Sequence, residues 1–453
     1  MTILEISAGD TAWVLISAAL VLFMTPALAF FYGGMVRSKS VLNMMMMSVI
    51  TTGIVGVLWV LYGFSMAFGN SIGGVVGNPG EYLGLKGLLD AEFGTIPGYA
   101  FVGFQAAFAI IAVALIAGAV ADRMKFGAWC AFVVLWSTLV YFPAAHWVFS
   151  FDGFTAEKGG FIANTIQAFD FAGGTAIHIN AGAGALALVL VLGKRIGFGR
   201  VPMRPHNLTL VMLGAIMLWF GWFGFNAGSA LGANGTAALA WVNTMVAAGV
   251  AMLAWVLTER LRDGHPTSLG AASGIVAGLV AITPACATVN PIGAIFIGIL
   301  AGVGCCYAVT IKFKWGYDDS LDVVGVHLVG GLIGTLAIGL FGDPALTGGT
   351  DTAGLFYGGG LSQLGRQALG ALSVLVYSFV VSYLIALLLK HTMGIRVSSA
   401  VETSGIDLAE HAEIGYDLSK VQYSSYNIKR MLIVPKDEGT ATDGNNTNEG
   451  VKA

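Results

Sequence analysis

Two histidines sit inside long apolar stretches in matching contexts. Asp170 and His178 are separated by seven residues, as are Asp319 and His327, and each histidine is followed four residues later by a glycine, Gly182 or Gly331. An ionisable side chain in a membrane span is by default a functional hypothesis. Burial in an apolar site favours the neutral imidazole. Two neutral imidazoles can bond ring to ring, one nitrogen donating and the other accepting. Such a pair can pass a proton or guide a small polar molecule. The plainer alternative is two polar residues, each bonded to backbone in a packed bundle. A metal site fits poorly, because no third ligand falls on the same face. Asp170 and Asp319 lie about two turns away, and Asp322, five residues before His327, points roughly 140° round the helix. His146, near the outer end of another span, reads as structural or interfacial.

The helix face around each histidine is small. Gly174, His178, Gly182 and Ala185 follow at steps of four, four and three, and His327, Gly331 and Gly334 continue likewise, with Gly330 and Gly334 forming a GxxxG pair. Small faces let helices approach closely. If the two helices cross there, the imidazoles meet near the bilayer centre.

The rest of the chain must supply that bilayer setting. Hydrophobic residues make up 56% and charged residues 10% of 453, against about 25% charged in soluble domains. The mean hydropathy is +0.80. Soluble domains are thereby excluded. The 64 glycines are roughly twice ordinary usage and suit closely packed spans. Apolar runs near 11–33, 41–68, 99–121, 127–148, 172–193, 207–231, 239–258, 268–287, 291–311, 322–341 and 368–390 each approach the ~20 residues a helical crossing needs. They are too long and continuous for a transmembrane barrel. The expected fold is therefore an all-α polytopic membrane protein of eleven helices. The two histidines lie five spans apart, so their helices run in opposite directions. An inverted five-helix repeat plus a final helix predicts this, with the functional centre between the halves.

Assigning alternate loops to two sides puts fourteen Lys and Arg on one side and three on the other. The positive-inside rule then places the N-terminus outside and the C-terminus in the cytoplasm. The outer side holds ten acids against three bases, about −7. That field would concentrate cations there, although the positive-inside bias alone would also leave it acidic. Glu5 and Asp10 precede the first run, where a secretory signal would carry bases, so that run is expected to be a retained helix. A net charge of −3 offers no basic face for nucleic acid. Cys130, Cys286, Cys305 and Cys306 lie in apolar runs without metal-site spacing.

Several long segments resemble the Amt/Mep/Rh ammonium transporters, closest to the Amt branch. They are FFYGGMVRSKSVLNMMMM (30–47), FQAAFAIIAVALIAGAVADRMKF (104–126), DFAGGTAIHINAG (170–182), GWFGFNAGSALGANG (221–235), ASGIVAGLVAITPACATV (272–289) and DDSLDVVGVHLVGGLIGT (318–335). The likeness covers essentially all eleven spans in order. It implies a homotrimer with one pore per subunit in the cell membrane and ammonium uptake, with no enzymatic step and no cofactor. Carried over residue by residue, the twin pore histidines match His178 and His327. The stacked phenylalanines closing the outer mouth match Phe108 and Phe225. The outer recruitment site matches Ser229, with Phe108 and Phe149 as aromatic wall and Asp170 as the supporting carboxylate. Asp170 also suits a helix cap. Trp222 and Thr283 match positions lining or near the pore. One departure stands out: Phe149 occupies a place where many bacterial members carry Trp, the best cation–π partner. Trp147 lies two residues before it.

The physics agrees with the resemblance. Ser229 can accept a hydrogen bond from ammonium, and aromatic faces attract the cation. Taking the intact ion through an apolar pore costs several kcal/mol or more. Potassium cannot escape that cost, whereas ammonium can give up a proton. A narrow apolar pore behind a cation-attracting mouth thus selects ammonium by its acidity. Whether the proton follows, and whether methylammonium passes, is left open. From about residue 397 the chain turns polar and acidic. It resembles the family's cytoplasmic C-terminal region, which in many members binds a PII signal protein. The expected organisation is a membrane domain over 1–396 and a regulatory tail over 397–453, disordered from about 436. The runner-up is a sensor of the same fold in which binding matters more than flux. An intramembrane enzyme or metal site on the histidine pair lacks a nucleophile and a third ligand.

Overall fold

The structure, a computed structural model, describes residues 5–416, and those up to Gly415 form one compact unit. The stretch 436–453, expected to be disordered, lies outside the described residues. Ten helices are long and apolar enough to cross a membrane: α1 (Ala8–Met35), α2 (Ser38–Phe68), α3 (Gly98–Val120), α4 (Phe126–Phe149), α5 (Gly174–Leu192), α6 (Leu208–Gly228), α7 (Gly235–Asp263), α9 (Pro291–Trp315), α10 (Val324–Phe341) and α11 (Ser362–Thr392). The run expected over 268–287 is helical only as α8 (Ser268–Ile282), 15 residues long. Pro284 follows two residues after its end; Thr283 still has helical dihedrals, φ −50° and ψ −49°, but Pro284 has no N–H with which to continue the ladder. At 1.5 Å per residue, α8 reaches only about 22 Å, short of the ~30 Å hydrocarbon core.

Local chemistry fixes the helix ends. Asn207, Asn234, Thr267 and Asn290 each cap a helix by accepting from the backbone N–H three residues on, at 3.0, 3.0, 2.8 and 3.0 Å. Such caps satisfy donors the helix cannot reach internally. Gly264 and Gly316 end α7 and α9 with left-handed backbone, φ 92° and 72°, which glycine adopts without steric cost.

The most extensive helix pairings are α1 with α6 and α7 with α8 and α9, while α5 packs against α10 and α11. Its large interior rings carry their polar atoms to partners. Trp129 Nε1 donates to the Met47 carbonyl at 2.7 Å, Trp136 Nε1 to Ser382 Oγ at 2.9 Å and Trp59 Nε1 to the Val102 carbonyl at 3.1 Å. Four spans contain a π turn: Trp59–Gly63 in α2, Ser137–Tyr141 in α4, Gly174–Ile179 opening α5 and Val324–Leu328 opening α10. π turns concentrate at functional sites, and the last two carry His178 and His327.

At the end of the bundle where the bases gather, charges are buried in pairs. Arg195 lies 2.9 Å from Asp318 and 3.4 Å from Asp122, whose side chain also meets Arg37 at 3.2 Å. Arg123, 0% exposed, donates to the carbonyls of Gly193, Ala119, Ala121 and Asp318 and to Ser320 Oγ. It thereby joins the ends of α3 and α5 to the segment entering α10. Burial pulls its guanidinium down to about 10, so it stays charged near neutrality. Two short helices follow α11, namely α12 (Ser399–Ser404) and α13 (Ile406–His411). Glu402 accepts from the Ile196 N–H at 2.6 Å and from Arg396 at 2.8 Å. Asp407 accepts from the N–H groups of Leu42 and Asn43 at 3.1 and 2.8 Å.

Candidate functional site

Each histidine is set in place by an aspartate four or five residues before its π turn. Asp170 accepts from the backbone N–H groups of Gly173, Gly174, Thr175 and Ala176 at 2.8, 2.6, 2.7 and 3.2 Å, and also from the Thr175 hydroxyl. It therefore caps α5, as its sequence position suggested. Asp319 accepts from the N–H groups of Val323 and Val324 at 3.1 and 2.7 Å, a matching cap on α10. A carboxylate at a helix start satisfies free donors and suits the positive end of the helix dipole.

The two helices then meet closely. A Cβ added at Gly182 would lie 2.5 Å from the Leu328 nitrogen, and one at Gly331 would lie 3.1 Å from the Gly174 carbonyl and 3.2 Å from His178 Cβ. At this approach His178 Nδ1 and His327 Nδ1 are 3.2 Å apart, with ring centroids 5.3 Å apart and planes 21° from parallel. One nitrogen must donate and the other accept, so the two rings carry opposite tautomers, one protonated on Nδ1 and the other on Nε2. The Nε2 atom of His178 is buried without a hydrogen-bond partner. Trp222 stacks on His178 at 5.5 Å and 20°. Its Nε1 donates to Thr283 Oγ1 at 2.8 Å, and that hydroxyl donates to the Leu279 carbonyl at 2.7 Å. Thr283 thus stands behind Trp222 and fixes its ring. A void of about 10 Å³ remains between His178, His327, Trp222, Phe225, Leu28 and Phe31. That is close to the least space that admits one water-sized molecule.

Above this void Phe108 and Phe225 stack at 4.3 Å and 29°. On their far side a cavity of about 60 Å³ is lined by Phe108, Phe149 and Ser229 together with Phe101, Gln105, Phe151, Phe154, Thr155 and Phe171. The structure therefore brings Ser229, Phe108 and Phe149 to one cavity. Asp170 is 8% exposed and does not line it. The Ser229 hydroxyl donates to the Phe225 carbonyl at 2.9 Å, which leaves its oxygen lone pairs to accept. Trp147 faces elsewhere: its Nε1 donates to the Val75 carbonyl at 2.6 Å and its ring packs on Tyr377 at 4.5 Å. It cannot stand in for Phe149. Gln105, missed in the sequence, is the one side-chain amide in α3. A polar residue between Phe101 and Phe108, at helical spacing from both, was the available signal.

At the end of the bundle that holds the buried ion pairs, a cavity of about 390 Å³ is lined by Arg195, Phe198, Arg200, Lys312, Phe313 and Asp322 among others, and it shares no lining residue with the void. His146 belongs to none of these spaces. Its Nδ1 lies 3.0 Å from the Ala67 carbonyl and its Nε2 lies 2.8 Å from Ser71 Oγ, so both nitrogens are satisfied within the fold. Among the described residues, no three metal-ligating side chains gather at one place.

Residues 12–416 match the Ammonium Transporter Family. An ammonium transporter of Mycobacterium tuberculosis is 61% identical over 432 residues, covering 91% of each chain. One from Aquifex aeolicus is 48% identical, covering 91% of this chain and 95% of its own. Among solved structures, Mep2 of Saccharomyces cerevisiae superposes with a TM-score of 0.82 at 30% identity, over 92% of this chain and 93% of that one. A protein described as a sensor Amt protein superposes with a TM-score of 0.83 at 29% identity, over 89% and 98%.

Proposed function

The chain belongs to the ammonium transporter family and carries ammonium across a membrane, and from that premise we propose how its residues do so. Ammonium gathers in the cavity of Ser229, Phe108 and Phe149, where a hydroxyl oxygen accepts from it and aromatic faces attract its charge. The stacked Phe108 and Phe225 exclude its water shell. The ion then gives up a proton, to water at the mouth if the proton stays outside or to the imidazole pair if it follows, because the void beyond is too small and too apolar for a hydrated cation. Ammonia passes His178 and His327, bonding in turn to ring nitrogens, of which the free Nε2 of His178 is the first available. The larger, basic cavity receives it and returns a proton from water.

The observation that carries this reading is the imidazole pair at 3.2 Å, sealed behind a phenylalanine stack and bordering a void of single-molecule size. Asp170 acts in support, by setting the π turn that aims His178. The orientation, with Ser229 outside and Lys312 in the cytoplasm, rests on the distribution of Lys and Arg. A membrane domain over 1–396, a cytoplasmic regulatory tail from 397, a homotrimeric assembly and a PII partner at the cytoplasmic face are carried over from the family resemblance.

The test is current from purified protein in liposomes after an ammonium pulse, with potassium as control. His178→Ala and His327→Ala should each abolish ammonium flux or open an unselective cation leak. Wild-type flux and selectivity in both variants would sink the reading. In the wild type, an ammonium-specific current means that charge crosses. Entry of ammonia reported by a pH dye, without current, means that the proton stays behind.

A further inference from the structure

Helix α11 borders none of the three spaces along the conduction path, yet it buries two glutamines, Gln363 and Gln367, both 0% exposed. Gln367 Oε1 accepts from the Phe169 N–H at 2.6 Å and from Gln363 Nε2 at 2.9 Å. Gln367 Nε2 donates to the Phe169 carbonyl at 2.8 Å and to the Thr335 carbonyl at 3.1 Å. Both donor hydrogens and both acceptor sites of the amide are therefore used. The clamp on Phe169 copies the paired bonds that a neighbouring β-strand would make.

The segment it clamps has few other partners. Between the π turn ending at Ile166 and the one starting at Gly174 the chain is not helical. It enters through Gln167 with φ 59° and leaves through Gly173 with φ 118°. A partly buried backbone without a ladder needs partners from elsewhere; the Phe171 N–H donates to the Pro284 carbonyl at 3.1 Å, and α11 serves both backbone groups of Phe169. Phe169 directly precedes Asp170, the carboxylate that sets the His178 turn. Thr335 belongs to α10, eight residues after His327 on the same helix. One side chain thus ties the lead-in of one histidine arm to the helix of the other.

We propose that Gln367 is a positioning residue for the twin-histidine site: it holds Asp170 in register with α10, so that the two imidazoles meet. The proposal rests on the reading of His178 and His327 as the conducting pair. It acts through geometry alone, since Gln367 touches no transported species. A shift of about 1 Å at such a site costs on the order of a hundredfold in rate, and a single buried amide is enough to set that register.

The decisive variant is Gln367→Met, similar in length and without hydrogen-bonding groups. Ammonium and potassium fluxes would be measured in liposomes beside the melting temperature of the purified protein. The expected result is a cooperatively folding protein whose maximal ammonium flux falls about tenfold or more, with a lowered ammonium-to-potassium ratio. In an Asp170→Asn background the same substitution should add little, because both act on one turn. Ser373→Ala is the control on the same helix, since its hydroxyl bonds the Leu369 carbonyl of its own helix, and it should behave as wild type. A folded Gln367→Met with wild-type flux and selectivity overturns the proposal, as does a full multiplication of losses in the double variant. Should Gln367→Met not fold, Gln363→Met removes one of the four bonds, and a loss of about threefold is expected; unchanged flux and selectivity there overturn the proposal equally. If His178→Ala and His327→Ala also keep wild-type selectivity, it is the histidine reading that has failed. If they lose selectivity while Gln367→Met keeps it, only the positioning role has failed.

Discussion

Phe149 stands where the family resemblance led us to expect tryptophan, and its place in the structure makes that difference testable. It lines the same cavity as Ser229 and Phe108, while Trp147 is held away by its bond to the Val75 carbonyl. On the recruitment role proposed for this cavity, the aromatic rings that line it for a cation are all phenylalanine. A tryptophan face attracts a cation more strongly than a phenylalanine face, and exposed contacts of this kind are worth ~0.5–1 kcal/mol. Phe149→Trp should accordingly lower the apparent KM for ammonium by about twofold, a fraction of that range, with little change in maximal flux. An equal or higher KM would mean that the ring of residue 149 is not part of recruitment. The histidine pair was legible from the sequence because its chemistry repeats: aspartate, seven residues, histidine, then a small face. Ser229 and the phenylalanine stack were not legible from spacing. A serine or a phenylalanine in an apolar helix is ordinarily packing, and only the family resemblance singled them out. Gln105 and Gln367 were visible as polar residues in apolar runs, but their partners lie on other helices, which no local pattern can supply.

At the scale of the element, the small faces do what their composition implied. Gly182 meets the backbone of Leu328, and Gly331 meets Gly174 and His178. The crossing of α5 and α10 therefore has no room for a methyl group. Gly182→Ala must push backbone against backbone, which costs roughly 1–3 kcal/mol of overpacking and separates the imidazoles. The expected outcome is a lower melting temperature together with a large loss of ammonium flux. Gly53→Ala in α2 is the contrast, since a Cβ there meets nothing within 4 Å. It should keep full flux and melt at the wild-type temperature or slightly above, because alanine is the better helix former. Full flux in Gly182→Ala would show that the helices can part without disturbing the pair. Two features of these elements escaped the sequence. The π turns at His178 and His327 begin where Asp170 and Asp319 accept from the backbone N–H groups, contacts that need three dimensions. Helix α8 ends at Ile282 rather than continuing to 287 because of Pro284, a signal present in the sequence but outweighed by the unbroken apolar run.

At the scale of the whole molecule, the apolar runs and the sorting of Lys and Arg were readable because the bilayer imposes both on any chain that crosses it. What they did not reveal is that some of those bases are buried rather than displayed. Arg195, Asp122, Asp318 and Arg37 close a network that joins the ends of α1, α3 and α5 to the segment before α10, and Arg123 reinforces it through carbonyls. Burial works to raise the Asp318 carboxyl, but the hydrogen bonds from Arg195 and the charges of Arg123 and Arg195 outweigh it and hold the group below its usual 3.8. The ionised form is thus the one the fold prefers. Its stabilisation is complete above pH 3.8 and drains away as the pH falls through the depressed value. Asp318→Asn removes the charge at every pH and leaves Arg195 with only the longer contact to Asp122. Breaking a buried pair in this way costs about 3–5 kcal/mol, so the variant should melt well below wild type at pH 7. The gap between the two should narrow as both are melted at successively lower pH below 3.8, since the wild-type carboxylate is being neutralised as well. A gap that stays constant down to the acid limit would mean that Asp318 stabilises the molecule through its shape and hydrogen bonds and not through its charge.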